Sequence, residues 1–334
     1  MIKSITKRCA IAALCLSSMA ASAYDNMFVF GDSLSDNGNL HALNAQAPVR
    51  FTNGPVAAEV VAAQLGLSLT PSYHLLQTPP FGNNYAIAGA KAVDDDGDES
   101  TPDINLPTQV NAFLQIHGGV APKDSLYVVL IGGNDIRAAR AIRSAGVLAD
   151  SKEARNASRK AARDAIAKSV ESEKKQIMKL IAAGAKNIVV INAPDIGAIP
   201  ETELVTLQTA ASADNKGETR RANRIPFDTT KLSAIYNRKL DRKIGQIENQ
   251  TGINIIEYDL FTFLTEQVDD AEAFGYSNTD EACIWVFSQA GAVNPDCADF
   301  PVATGFLFWD EIHPTAIAHQ RAAAGVLEAL LKGE

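Results

Sequence analysis

The stretch MFVFGDSLSDNGN, residues 27–39, sets the fold class. Its first four residues are apolar, which is typical of a strand buried on both faces of a sheet. Glycine and short polar residues follow, and they permit a tight turn into a helix. We therefore expect Ser33 at the mouth of a sheet, beyond the carboxyl end of a strand, where doubly wound α/β proteins form their sites.

Similar apolar runs recur along the chain and alternate with helical patterns. With the first run they predict about five buried strands, the others being residues 85–88, 126–131, 187–192 and 254–259. Helices are predicted over 56–65, after Gly54-Pro55, and over about 151–183. This alternation predicts an α/β fold, a doubly wound, flavodoxin-like parallel sheet with helices on both faces.

Two polar segments, residues 201–224 and 269–301, interrupt this pattern and are interpreted as surface insertions. Neither has the character of a linker between domains, and the sequence shows no internal repeat. With 334 residues, 46% of them hydrophobic, the chain is long enough to bury one large core. We therefore predict a single domain over residues 24–334.

The first 23 residues have the three regions of a signal peptide. Three basic residues come first, an apolar run over 9–19 follows, and Ala21-Ser22-Ala23 forms a cleavage site. The predictions are cleavage after Ala23 and a secreted protein, extracellular or periplasmic. No later apolar run is long enough to span a bilayer.

Charge and cysteine content narrow the function classes. The formal charge is −9, and it becomes −12 once the three basic residues of the leader are removed, so we expect no nucleic-acid partner. Cys283 and Cys297 are the cysteines left after the leader, in a compartment where disulfides persist. We expect them to be bonded, which by the chain-entropy model stabilises the fold by about 3 kcal/mol.

Ser33 needs a base to become a nucleophile, because a serine hydroxyl is weak until its proton is removed. Among five histidines, His313 has Asp310 three residues before it and Pro314 directly after it. One turn would bring the Asp310 carboxylate to the imidazole and fix its tautomer. These three residues, Ser33, Asp310 and His313, form the predicted catalytic triad.

Acyl transfer also needs hydrogen-bond donors aimed at the developing oxyanion. The third predicted strand ends in IGGND, residues 131–135, which offers the side-chain amide of Asn134. The second ends at Gly89, whose missing side chain would let its N–H approach a substrate. The backbone N–H of Ser33 is the third candidate.

These motifs, GDSL at 31–34, Gly89, GGND at 132–135 and DEIHP at 310–314, resemble in order the four blocks of the GDSL/SGNH serine hydrolases. The segments RFTNGP at 50–55 and FWDEIHPT at 308–315 look like the bacterial secreted lipase, phospholipase and acyltransferase branch. The resemblance implies the SGNH architecture, a triad of Ser33, Asp310 and His313, and an oxyanion hole of Ser33, Gly89 and Asn134. No cofactor is implied. Ala88 departs from the pattern, since relatives often have a second glycine there.

The expected activity is hydrolysis of lipid-like carboxylic esters through an acyl-enzyme, with a phospholipid or lysophospholipid among the candidate substrates. A lipid substrate implies transient contact with a membrane or micelle surface. Three alternatives remain open: acyl transfer to an alcohol such as a sterol, a sugar-acetyl esterase, and a catalytically silent binding module. The intact candidate residues Ser33, Asn134 and His313 weigh against the last.

Metal-binding interpretations are weaker. Asp310, Glu311, His313 and His319 have ligand chemistry, but His319 lies six residues beyond His313 on a predicted helix, where it faces elsewhere. The acidic run DDDGDE at 94–99 lacks the EF-hand spacing and is interpreted as a solvated loop. Asp36 and Asp135 are expected to be caps or turn formers. We expect no metal.

Overall fold

The computed structural model describes residues 24–76, 82–100 and 102–333, so the predicted signal peptide lies outside the described residues. The strands, in chain order, are β1 (Asn26–Gly31), β2 (Ser125–Leu130), β3 (Asn187–Ile191), β4 (Ile255–Tyr258), β5 (Asn278–Ala282), β6 (Ile284–Trp285), β7 (Ala292–Val293) and β8 (Phe306–Phe308). The helices are α1 (Asn39–Leu43), α2 (Ala57–Gln64), α3 (Leu106–Ile116), α4 (Gly133–Ala145), α5 (Lys152–Ala182), α6 (Pro200–Ala211), α7 (Lys216–Ala222), α8 (Ile225–Thr251), α9 (Leu260–Asp269) and α10 (Ala316–Gly333).

The central sheet is parallel and has the order β1-β2-β3-β4. Residues 83–87 lie on the free side of β1, where the N–H groups of Tyr85 and Ile87 donate to the carbonyls of Val29 and Gly31. The chain therefore leaves β1 in one direction and returns to pair with β2 on the other. This change of direction is a topological switch point of the flavodoxin-like kind, and the predicted α/β fold class is confirmed.

The regular sheet has four strands rather than about five, because the predicted strand over 85–88 does not extend into a ladder. The Tyr85 and Ile87 N–H groups do pair with β1, but the Gly31 N–H, which would bond the Tyr85 carbonyl in a longer ladder, donates to the Gln109 side chain at 2.8 Å instead. Only an isolated parallel bridge, Val29 to Asn84, is formed with β1. A side chain of α3 thus ends the strand pairing at this edge after one bridge.

Two apolar cores hold the sheet, one on each face. Alternate residues of β2 point to opposite sides: Tyr127 and Val129 join a core with α3, α4, α5 and α8, whereas Val128 joins a core with α2 and α10. Burial on both faces explains why the strands are continuous apolar runs in the sequence. The helices predicted over 56–65 and 151–183 are present as α2 and α5.

The segment 201–224 is not an irregular insertion, because it forms most of α6 and all of α7. Many of its polar residues face solvent while Thr202, Thr206 and Glu218 are buried, and composition alone does not separate such helices from a loop. The segment 269–301 is mostly irregular, but it contributes β5, which pairs with β8, and the β6–β7 hairpin. The predicted disulfide is present between Cys283 and Cys297, whose Cα atoms lie 5.3 Å apart. Within residues 24–333, where described, no helix is apolar enough over sufficient length to cross a bilayer.

Candidate active site

Ser33 lies two residues beyond β1, in the turn that opens at the switch point. The end of β1 is held by Gln109 of α3, whose side-chain amide both accepts from the Gly31 N–H and donates to the Gly31 carbonyl, each at 2.8 Å. Asp32 closes the turn by accepting from the Leu34 N–H at 3.0 Å. The position of Ser33 is therefore defined by buried hydrogen bonds on both sides.

The structure brings Ser33, His313 and Asp310 together. The Ser33 hydroxyl lies 2.8 Å from His313 Nε2, and His313 Nδ1 lies 2.8 and 2.7 Å from the two Asp310 carboxylate oxygens. A carboxylate only accepts hydrogen bonds, so the Nδ1 proton points at Asp310 and Nε2 is left to accept from Ser33. All three side chains are buried, with relative exposures of 8%, 4% and 2% for Ser33, His313 and Asp310.

The segment after β8 is shaped to make this contact. The Asp310 carboxylate also accepts from the backbone N–H groups of Ile312 and His313, both at 2.8 Å, so it closes the turn that carries the histidine. Glu311 points away from His313. It accepts from backbone N–H groups of residues 283–297, the disulfide segment, including that of Val286 at 2.9 Å. The two adjacent acids thus differ in role: Asp310 orients His313, and Glu311 stabilises the disulfide segment.

The RFTNGP block packs around the same histidine. The Phe51 ring lies 5.1 Å from the His313 ring, centroid to centroid. Asn53 accepts from the N–H of Ala316 at 2.7 Å, which satisfies the first turn of α10. These contacts explain why this block accompanies the histidine block in the sequence.

The three candidate oxyanion donors lie at the ends of neighbouring segments. Gly89 has φ 89°, a left-handed conformation that favours glycine, whereas Ala88 is outside the positive-φ region. The alanine at position 88, where relatives often have glycine, therefore causes no backbone strain. Asn134 Nδ2 donates to the Ala90 carbonyl at 2.9 Å, which ties the amide to the turn of Gly89 and leaves its second N–H available. Among the described residues, no hydrogen bond from the N–H of Ser33 or Gly89 is observed.

The sequence did not single out Arg137 and Glu201, which also belong to the site. Arg137 Nη1 donates to Asn134 Oδ1 at 2.8 Å, and its Nε donates to Glu201 at 2.8 Å. Glu201 also accepts from Arg140 at 2.6 Å. The i, i+3 spacing of Asn134 and Arg137 at the start of a helix was a usable signal. Glu201 comes from α6, so its approach depends on tertiary packing.

An apolar cleft opens beside Ser33 and His313. It encloses about 860 Å³ with its open mouth, and Asn134 and Arg137 are among the few polar side chains on its wall. Most of the wall is aliphatic or aromatic. A cleft with this apolar lining and a few polar groups is typical of sites that take small apolar ligands.

A group of buried acids lies beneath the site. Burial raises the pKa values of Asp32 and Asp135 to about 6, and that of Glu173 to about 8. Glu173 accepts from the Tyr236 hydroxyl at 2.6 Å, while its other oxygen is buried without a partner among the described residues. A carboxyl in this environment favours its neutral form.

The candidate metal ligands each make separate hydrogen bonds with different parts of the chain. His319 Nδ1 accepts from the Ala57 N–H at 3.1 Å, and burial lowers the His319 pKa to about 3, so its ring is neutral and structural. In the acidic run, the Asp96 and Asp98 carboxylates accept from backbone N–H groups two residues on, as in a solvated loop. Over the described ranges no cluster of three or more His, Cys, Asp or Glu side chains is placed to hold a metal ion. Asp36 accepts from the N–H groups of Gly38 and Asn39, as a turn former does, whereas Asp135 accepts from the distant Ala92 N–H and so links two segments.

The chain belongs to the GDSL-like lipase/acylhydrolase family, which matches residues 27–326. Membership places it among carboxylic ester hydrolases. The match includes all four sequence blocks that carry the resemblance.

Individual relatives of this family are distant. Lipase 1 of Photorhabdus luminescens is 28% identical over 90% of this chain, which spans about half (49%) of that protein's length. A GDSL esterase/lipase of Arabidopsis thaliana is 24% identical over 87% of this chain and 82% of its own length. A phosphatidylcholine-sterol acyltransferase of Aeromonas hydrophila is 25% identical, with coverages of 89% and 87%.

Proposed function

We propose that this GDSL-family protein hydrolyses lipid-like carboxylic esters through an acyl-enzyme on Ser33. The observation that carries the proposal is the continuous relay from the Ser33 hydroxyl through His313 to Asp310, with every link at 2.7–2.8 Å. The apolar cleft beside the hydroxyl supports an acyl substrate. A relay of this geometry is the arrangement that activates a serine nucleophile.

In the first step the Ser33 oxygen attacks the ester carbonyl carbon while His313 Nε2 takes the hydroxyl proton. The N–H groups of Ser33, Gly89 and Asn134 Nδ2 donate to the oxyanion that forms. The tetrahedral intermediate then collapses, and His313 returns the proton to the departing alcohol. In the second step His313 deprotonates water, which attacks the acyl-enzyme, and the carboxylic acid leaves as Ser33 regains its proton.

The test is hydrolysis of p-nitrophenyl butyrate, p-nitrophenyl palmitate and lysophosphatidylcholine by the protein and its Ser33→Ala variant. Ser35→Ala is the matched control, because Ser35 is a buried serine of the same turn. We expect Ser33→Ala to lose at least about 10⁴-fold in kcat and Ser35→Ala to stay active. Equal activity of the Ser33→Ala variant would overturn the mechanism, and lysophosphatidylcholine hydrolysis would identify the phospholipase subclass.

Acyl transfer is the second candidate, favoured by the relative named phosphatidylcholine-sterol acyltransferase. The same acyl-enzyme would pass its acyl group to a sterol hydroxyl in place of water. Incubation with a labelled acyl donor and cholesterol distinguishes the two: labelled cholesteryl ester indicates transfer, and labelled fatty acid alone indicates hydrolysis. Only the acceptor differs, so both activities share Ser33.

We further propose that residues 1–23 direct export, with cleavage after Ala23, and that residues 24–334 act as one hydrolase domain. The disulfide between Cys283 and Cys297 supports an oxidising destination. Exposed Phe287, Phe300 and Val302 in and beside the disulfide segment support transient contact with a lipid surface. Terminal sequencing of the exported protein tests the cleavage, and co-sedimentation with phosphatidylcholine vesicles tests the contact.

A further inference from the structure

The apolar cleft has a direction. The last residues of β2, β3 and β4, namely Leu130, Ile191 and Tyr258, all line it, as does Ser33 at the end of β1. The cleft therefore crosses the carboxyl edge of the sheet from the first strand to the fourth. A linear apolar group attached to Ser33 would lie across this edge.

The spacing of the strands gives the length of the cleft between Ser33 and Tyr258. Neighbouring strands are about 4.8 Å apart, so three intervals span about 14 Å. A fully extended chain advances about 1.2 Å per bond, since three backbone bonds cover about 3.5 Å. The path accordingly holds roughly ten to twelve carbon atoms of an extended chain.

Two aromatic side chains close the far end. Tyr258 and Phe263 line both the apolar cleft and a second, wider surface depression, the outer groove, which is bounded by Ile256, Glu266, Gly325 and Glu328 among others. Their ring centroids are 6.3 Å apart. The two rings thus form the wall between the apolar cleft and the outer groove.

The position of Tyr258 depends on a glycine of α10. A Cβ atom at Gly325 would lie 2.5–2.8 Å from the end of the Tyr258 ring, which is closer than real contacts allow. Gly325 faces the outer groove, whereas Ala322 and Val326 of the same helix face the cleft. A methyl group at position 325 would therefore push the ring from the groove side toward the cleft.

We propose that the apolar cleft holds the acyl chain of the substrate, that Tyr258 seated against Gly325 closes it, and that this wall limits the chain to about ten to twelve carbons. The inference rests on the acyl-enzyme proposed above and names its substrate class, medium-chain acyl esters. Tyr258 is a specificity determinant and takes no part in the chemistry. Chains beyond the limit must bend at the wall and lose contact.

The experiment measures kcat/KM for p-nitrophenyl butyrate, decanoate and palmitate with the protein, Gly325→Ala and Tyr258→Ala. Gly245→Ala is the matched control, because a Cβ at Gly245 in α8 meets nothing within 4 Å. Gly325→Ala should lower the decanoate-to-butyrate ratio roughly tenfold, the effect of losing one or two buried methylene groups. Tyr258→Ala should raise the palmitate-to-decanoate ratio by a similar factor, and Tyr258→Phe should keep the original profile.

The outcomes separate this inference from the proposed function. A lowered decanoate-to-butyrate ratio in Gly325→Ala and a raised palmitate-to-decanoate ratio in Tyr258→Ala, with parent ratios in Gly245→Ala, support the wall. Unchanged ratios in Gly325→Ala and Tyr258→Ala, with activity still lost in Ser33→Ala, overturn the wall and leave the esterase standing. Should Tyr258→Ala misfold, as judged by its circular dichroism, the Gly325→Ala ratio alone tests the proposal. Activity that persists in Ser33→Ala overturns both.

Discussion

The two ends of the apolar cleft are built from different interactions. At the Ser33 end, polar atoms are held by short hydrogen bonds, such as His313 to Asp310 at 2.7 Å and Arg137 to Asn134 at 2.8 Å. At the Tyr258 end, aromatic rings and a glycine meet by packing alone. Hydrogen bonds fix direction, whereas apolar contacts fix only available volume. Substitutions at the first end should therefore change the rate, and substitutions at the second should change the preference among substrates.

The largest effect is expected at Asp310. Asp310→Asn keeps the shape but offers one acceptor and one donor to His313, which favours the wrong tautomer. We expect kcat to fall by roughly 10³–10⁴-fold, with similar losses for butyrate and decanoate esters. Steady-state kinetics check this, and a loss confined to the longer ester would contradict the division between the two ends.

A smaller loss is expected at Asn134. Asn134→Ala removes one oxyanion donor, so kcat should fall by about 10²–10³-fold while KM changes little. The donor acts on the carbonyl oxygen, which is the same in every ester. A rise in KM without a fall in kcat would instead assign Asn134 to substrate binding.

Substitution of Arg137 should lower kcat less than substitution of Asn134, because Arg137 acts through Asn134. Arg137→Met leaves Asn134 Oδ1 without its donor, so the amide loses its preferred orientation, and kcat should fall about tenfold. Arg140→Met is the matched control, since Arg140 binds the same Glu201 but makes no hydrogen bond to Asn134. Equal losses of kcat in the two variants would show that only the ion pair with Glu201 matters.

The buried carboxyl group of Glu173, beneath the Ser33 end of the cleft, should make the stability of the fold depend on pH. Its folded-state pKa of about 8 lies above the ordinary value of 4.5, so the folded chain holds this proton more tightly than the unfolded chain. The stability gained from it is fully present below pH 4.5 and is lost as the pH rises through 8. Glu173→Gln mimics the neutral form.

Urea unfolding at pH 5 and pH 8.5 checks this expectation. The free energy of unfolding of the parent protein should fall by up to a few kcal/mol relative to Glu173→Gln between the two pH values. Parallel pH dependence in both proteins would show that Glu173 is ionised without penalty. Ester hydrolysis by Glu173→Gln should remain close to the parent rate, because Glu173 does not line the cleft.

Most of the fold class was readable from local pattern. Buried parallel strands are continuous apolar runs, and β1, β2 and β3 lie where such runs occur, whereas β4 at the edge of the sheet includes the exposed Glu257. The prediction was less successful for residues 85–88, where the Gln109 side chain takes the Gly31 N–H that a longer ladder needs, and for 201–224, where two helices rich in polar residues have the composition of a loop. In both segments the outcome depends on tertiary contacts, and the periodicity of hydrophobic residues along the sequence does not describe these contacts.

Local sequence also placed the chemistry-bearing residues. Ser33, Gly89, Asn134 and the Asp310–His313 pair each follow the end of a strand or strand-like segment, and parallel strands bring such ends to one edge. Only the tertiary structure placed Gln109 against Gly31, Glu201 against Arg137, and Gly325 against Tyr258. These contacts join residues more than 60 positions apart. They depend on how helices pack on the sheet, which a linear pattern does not encode.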